Sequence, residues 1–113
     1  MKTLIHIGGR TNVNSDEVIA LVAAVNYSLA YMHNGEVIVV ATTLKILENR
    51  FDSDVFFRVH KSCMINLNYL SQYDFQSIEM QNHLKAPISR RKRGAFNRKM
   101  REFGIIIPNN ISG

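Results

Sequence analysis

The alternation of apolar and polar positions divides the chain into short β-prone runs. Residues 3–7 (TLIHI) and 11–13 (TNV) flank Gly8-Gly9-Arg10, a turn signal, so two short strands are expected there. After the break Asn14-Ser15-Asp16 comes VIALVAA, residues 18–24, an apolar run of strand length whose alanines leave a helix open. A strand is favoured because only a few residues separate this run from the next β-prone one. Asn34-Gly35 then signals a hairpin between residues 28–32 and 36–41, which places Asn26-Tyr27 at a strand junction of an antiparallel meander. Thr42 or Thr43 can cap a short helix whose Leu44, Leu47 and Phe51 share one face, a face that would pack on the sheet. Asp52-Ser53-Asp54 ends it. Strand character resumes at 55–59 and again at 69–73, 77–80 and 84–88, with turns at 74–76 and 81–82 and with Pro87 suited to an edge or a strand end. Ser89 can cap a last helix over 90–103 with Ala95, Phe96, Met100 and Phe103 on one face. Gly94 weakens its middle by about 1 kcal/mol, and Gly104 is a natural stop. The expected fold class is mainly β, elongated and antiparallel, with short helices and a C-terminal helix.

Length and composition narrow the class. A chain of 113 residues suits one domain that buries its own core without disulfides or metals; the core is expected at about residues 10–103, with 104–113 as a tail. With 46% hydrophobic and 20% charged residues, neither a disordered nor a membrane protein is indicated. No apolar run approaches the roughly 18 residues of a membrane-spanning helix, and MKTLIHIGGR lacks the apolar stretch and cleavage site of a signal peptide. No membrane insertion is therefore expected, and the setting expected is cytoplasmic. The lone Cys63 agrees with a reducing compartment but is weak evidence for one.

The segment FFRVHKSCMIN, residues 56–66, holds the obvious candidates for chemistry. His60 and Cys63 lie three apart in one short segment without a third orienting group, a poor arrangement for a thiolate nucleophile. One His and one Cys make half a zinc site, and His6, His33 and His83 sit on separate segments without ligand spacing. Gly8-Gly9 lacks the remaining glycines and the lysine of a phosphate loop. Neither catalysis nor a cofactor or metal is expected. Charge is more informative. Residues 85–102 carry eight cations and one anion, a balance of +7, while the rest of the chain carries −2. A basic block on a near-neutral body is the footprint of a polyanion partner, most often nucleic acid, although a solvated helix face gives the same composition.

Phe57-Arg58-Val59-His60-Lys61-Ser62 followed by Met64-Ile65-Asn66-Leu67 resembles the hallmark of the LytTR family of bacterial DNA-binding domains. ALVAAVNYSLAYMHNGEVIVVATTLKILENRF is similar to that family's apolar strand, Asn-Tyr turn, hairpin and Thr-Leu helix, and LKAPISRRK to its last strand. The resemblance covers about residues 10–103. Cys63 stands where the family often carries an aromatic, and the connection at 74–76 is short. The resemblance implies an elongated β fold that binds double-stranded DNA through loops between strands, entering successive major grooves. Carried onto this chain, the DNA-facing residues are Asn26, Tyr27 and Ser28 at the strand turn, His60 and Lys61 in the hallmark loop, and Arg90 after the last strand. Arg90 suits bidentate readout of guanine, whereas Asn26 can pair with adenine or brace its own turn. Lys61 is a flexible point charge for phosphate or a single guanine acceptor, and His60 can donate to phosphate or lock the loop. Arg91, Lys92, Arg93 and Arg98 would add salt-dependent phosphate attraction. The expectation is a stand-alone transcriptional regulator, with a homodimer on direct-repeat sites as one arrangement; no receiver domain precedes the match, so regulation by phosphorylation of this chain is not implied. The alternative is a protein-interaction module whose basic C-terminal helix docks an acidic or membrane-bound regulatory partner.

Overall fold

In the computed structural model, which describes residues 4–104, the chain forms ten strands and two α-helices. In order these are β1 (Leu4–Gly8), β2 (Thr11–Asn14), β3 (Val18–Ala24), β4 (Tyr27–Met32), β5 (Val37–Val40), α1 (Leu44–Arg50), β6 (Phe56–His60), β7 (Cys63–Asn66), β8 (Leu70–Tyr73), β9 (Ser77–Met80), β10 (Lys85–Pro87) and α2 (Arg93–Phe103). Single 3-10 turns occupy Ser15–Glu17, Leu67–Tyr69 and Arg90–Lys92. Every strand pair is antiparallel. The central sheet has the order β5-β4-β3-β7-β6, a second runs β10-β9-β8, and β1 and β2 form a separate hairpin. The molecule is elongated, 45 × 31 × 23 Å along its principal axes.

The central sheet is covered on both faces, which explains why VIALVAA reads as an unbroken apolar run and not as an alternation. One face carries Ile19, Ala20, Val59, Cys63 and Ile65 into a core shared with Ile78 and Met80 of the second sheet, Ile88 just after it, and Phe96 and Met100 of α2. The other carries Val18, Leu21, Ala30, Val40 and Met64 against Ile7 and Val13 of the first hairpin and Leu44 and Leu47 of α1. A bulge between Val18 and Ala20 turns two successive residues, Ile19 and Ala20, toward the same face. Aromatic edges tie the layers: Phe57 and Tyr73 both meet Phe96, at centroid distances of 5.4 and 5.2 Å, and Phe51 meets Phe56 at 4.7 Å.

Local chemistry accounts for the element ends. Thr43, not Thr42, caps α1, its hydroxyl accepting from Ile46 N at 3.4 Å. The hairpin signalled by Asn34-Gly35 forms, but its connection runs longer than those two residues: Gly35 N donates to Met32 O and Gly35 follows the bend at φ +94°, a conformation open to glycine. The helix expected over 90–103 differs at its start. Ser89 makes no side-chain capping bond, residues Arg90–Lys92 form a 3-10 turn, and the α-helix begins only at Arg93. Ser89 N donates to Val59 O at 2.8 Å, which fastens the entering chain to the central sheet next to the buried Ile88. Gly104 stops the helix at φ +80°, as expected. The isoleucines of the tail lie outside the described residues.

Candidate nucleic-acid interface

Three turns meet at one rim of the central sheet. The β3–β4 turn is a two-residue connection, Val25-Asn26, closed by the pair Ala24 and Tyr27. The β6–β7 turn, Lys61-Ser62, follows the pair His60 and Cys63. Val22 pairs with Cys63 and Ala23 N donates to Ser62 O at 2.9 Å, so these two turns stand side by side. The third segment, 89–92, is fastened to the same rim by the Ser89 to Val59 bond. Residues more than sixty positions apart in sequence thus share one edge.

An open concavity of about 420 Å³ lies between the second and third segments, lined by Glu48, Arg58, His60, Lys61, Ser89, Arg90, Arg91 and Lys92. Arg58 is committed inward. Its Nη1 donates to Glu48 Oε1 at 2.9 Å and its Nη2 to the Lys61 carbonyl at 2.6 Å, while its buried Nε has no hydrogen-bond partner among the described residues. This fork draws the Lys61 backbone down and leaves the exposed ammonium to solvent. His60 locks the loop from within. Ser62 N donates to Nδ1 at 3.2 Å, with Ser62 Oγ 2.9 Å from the same nitrogen, so the neutral ring carries its proton on Nε2. One nitrogen locks the loop while the other can donate to an acceptor arriving from outside. Arg90 and Arg91 are exposed, and Lys92 lies 5.8 Å from the centroid of Phe57. One anion, Glu48, faces these cations and is already paired with Arg58.

The other expected residues are placed differently. Asn26 and Tyr27 are exposed on the adjacent turn, outside the concavity. Ser28 departs from its expected DNA-facing position: its side chain is fully buried and its hydroxyl donates to Thr42 O at 2.6 Å, so it braces β4 against the entry to α1. The reason is strand alternation, which turns residue 28 inward when 27 points outward. Arg93 also turns away, its Nε donating to Ile88 O at 3.4 Å and its guanidinium lying 5.5 Å from the Phe75 ring. Asn66 braces the opposite end of β7, donating to Val18 O and accepting from Asn68 N, both at 2.9 Å. Cys63 is core, and burial pushes its thiol up to about 12. Sequence reasoning did not find Glu48 or Ser89 in the site. Glu48 carries no local signal, because its partner is ten positions away across a helix-to-strand connection. No group of metal-ligating side chains and no helix long and apolar enough to cross a membrane occurs among the described residues.

Comparison with known proteins bears on this geometry. The model of the LytTr DNA-binding domain family matches residues 8–101. Among solved structures, the chain is similar to the LytTr DNA-binding domain of a Bacillus cereus protein described as a methyl-accepting/DNA response regulator, with a TM-score of 0.73 at 18% identity, over 88% of this chain and 95% of that one. No curated protein matches it significantly. At that identity the structural likeness speaks to the fold, while the family match spans most of the chain. The chain belongs to the LytTR family of DNA-binding domains.

Proposed function

We propose that this DNA-binding domain recognises a preferred duplex sequence and regulates transcription by occupying it, reading the major groove with the turns at 25–27, 60–62 and 89–92. The observation that carries the reading is the convergence of these turns on one rim, with Lys61, Arg90 and His60 lining the concavity there. In this reading Arg90 reads guanine through a bidentate contact, and Lys61 and His60 Nε2 address a guanine acceptor or phosphate. Asn26 and Tyr27 contact a neighbouring step, while Arg91 and Lys92 hold the backbone. No bond is made or broken; the domain acts by position alone. Two protomers would occupy a direct repeat, one on each half-site.

Selection of bound duplexes from a random pool, followed by gel shifts at rising salt, tests this. A recurring sequence motif is expected. Arg90→Ala should abolish the preference for one position, worth about 1–3 kcal/mol of discrimination, while retaining weak binding to all duplexes. Binding that disappears with salt and never shows a preferred sequence would instead favour a domain whose basic helix serves an acidic protein partner.

A further inference from the structure

Val25 is the most exposed large hydrophobic residue among those described, at 99%, and its φ is +55°. Both properties are unfavourable by themselves. A β-branched side chain is strained in the left-handed region, and the first position of a two-residue hairpin turn ordinarily takes Gly, Asn or Asp. Contacts within the chain do not compensate, because the side chain lies wholly in solvent. The turn that holds it stands beside the Lys61-Ser62 turn, joined through Ala23 N to Ser62 O at 2.9 Å. Asn26, next along the same turn, is exposed as well. An apolar branched group is thus presented at the tip of a rim otherwise made of polar and cationic side chains. In the major groove the apolar feature a base presents is the 5-methyl group of thymine, beside nitrogen and oxygen acceptors and amino donors.

Resting on the reading that this rim enters the major groove, we propose that Val25 is a further specificity-determining residue, packing its isopropyl group against a thymine methyl. The contact excludes water from two small apolar surfaces. It also discriminates thymine from cytosine, whose corresponding carbon bears hydrogen. The tight turn holds the side chain outward with its backbone fixed, so little conformational freedom remains to be lost on contact.

The test uses the full chain, the duplex recovered from the random pool, and copies of that duplex in which each thymine is replaced singly by deoxyuridine, which lacks only the methyl group. Wild-type protein should lose affinity about threefold to tenfold at one thymine. Val25→Gly should bind the thymine and deoxyuridine versions of that position equally. The variant should fold at least as stably as wild type, checked by urea denaturation, since glycine adopts φ +55° without strain. A preferred sequence at which every replacement affects both proteins alike, or at which no replacement affects wild type, overturns the role of Val25 and leaves the wider reading standing. A pool that yields no preferred sequence overturns both.

Discussion

Burial raises the Cys63 thiol from an ordinary value of 9.0 to about 12, so at neutral pH its sulfur is protonated and a poor nucleophile. Native protein should therefore resist iodoacetamide and become alkylated only as it unfolds; rapid labelling at pH 8 with intact circular dichroism would contradict this. The sign of the linkage follows from the unfolded chain releasing its proton first. The contribution of Cys63 is complete below about pH 9 and falls away as pH rises toward 12, so urea midpoints should drop between pH 8 and pH 10.5. Asn66 is a different kind of buried residue, joined to both Val18 O and Asn68 N. Asn66→Ala strands both partners, and a loss of about 1–3 kcal/mol is expected in denaturant unfolding. Its bonds lie at the end of β7 remote from the reading rim, so DNA preference should be unchanged in whatever protein remains folded.

A chain of contacts connects α1 to the Lys61-Ser62 turn through β6: Glu48 to Arg58, then Arg58 to the Lys61 carbonyl. Glu48 is 41% exposed, so its ion pair contributes under about 1 kcal/mol to stability. Its effect on binding should be larger and should split by readout. Glu48→Gln removes an anion from the concavity, so under the proposed binding mode affinity for arbitrary duplexes should strengthen about twofold to threefold. It also loosens the fork under Lys61, so preference for the selected site should fall; gel shifts on both duplexes separate the two effects, and unchanged preference would reduce Glu48 to a surface charge. Elements of this kind mark where sequence reading stops. The strands at 18–24 and 77–80, the helix face of Leu44 and Leu47 and the stop at Gly104 were legible because each follows from local periodicity or local conformation. Ser28 and Arg93 were misplaced because groups on other elements hold them, Thr42 O and the Phe75 ring, and Ser89 makes no side-chain capping bond. Neither Thr42 nor Phe75 is a close sequence neighbour of the residue it holds.

For the whole molecule, the basic block of residues 85–102 divides by geometry: Arg90, Arg91 and Lys92 line the concavity, while Arg98 and Arg101 are exposed farther along α2. In the proposed function, charges of the second kind attract phosphates and ignore sequence. Arg98→Ala should weaken all duplexes alike and flatten the slope of log affinity against log salt by about one, measured from 50 to 200 mM. A change confined to the preferred site would mean that Arg98 touches bases. The two cores on opposite faces of the central sheet have a consequence of another order. With both faces committed to packing, the rim is where side chains can change without disturbing either core, and Val25, Asn26, Tyr27, Lys61 and Arg90 are all exposed there. Such positions tolerate replacement at little thermodynamic cost. Under the proposed sequence-reading function, a lineage of these domains can therefore shift its preferred site by single substitutions, each intermediate remaining folded, and the stability of the scaffold places almost no constraint on the order in which they occur.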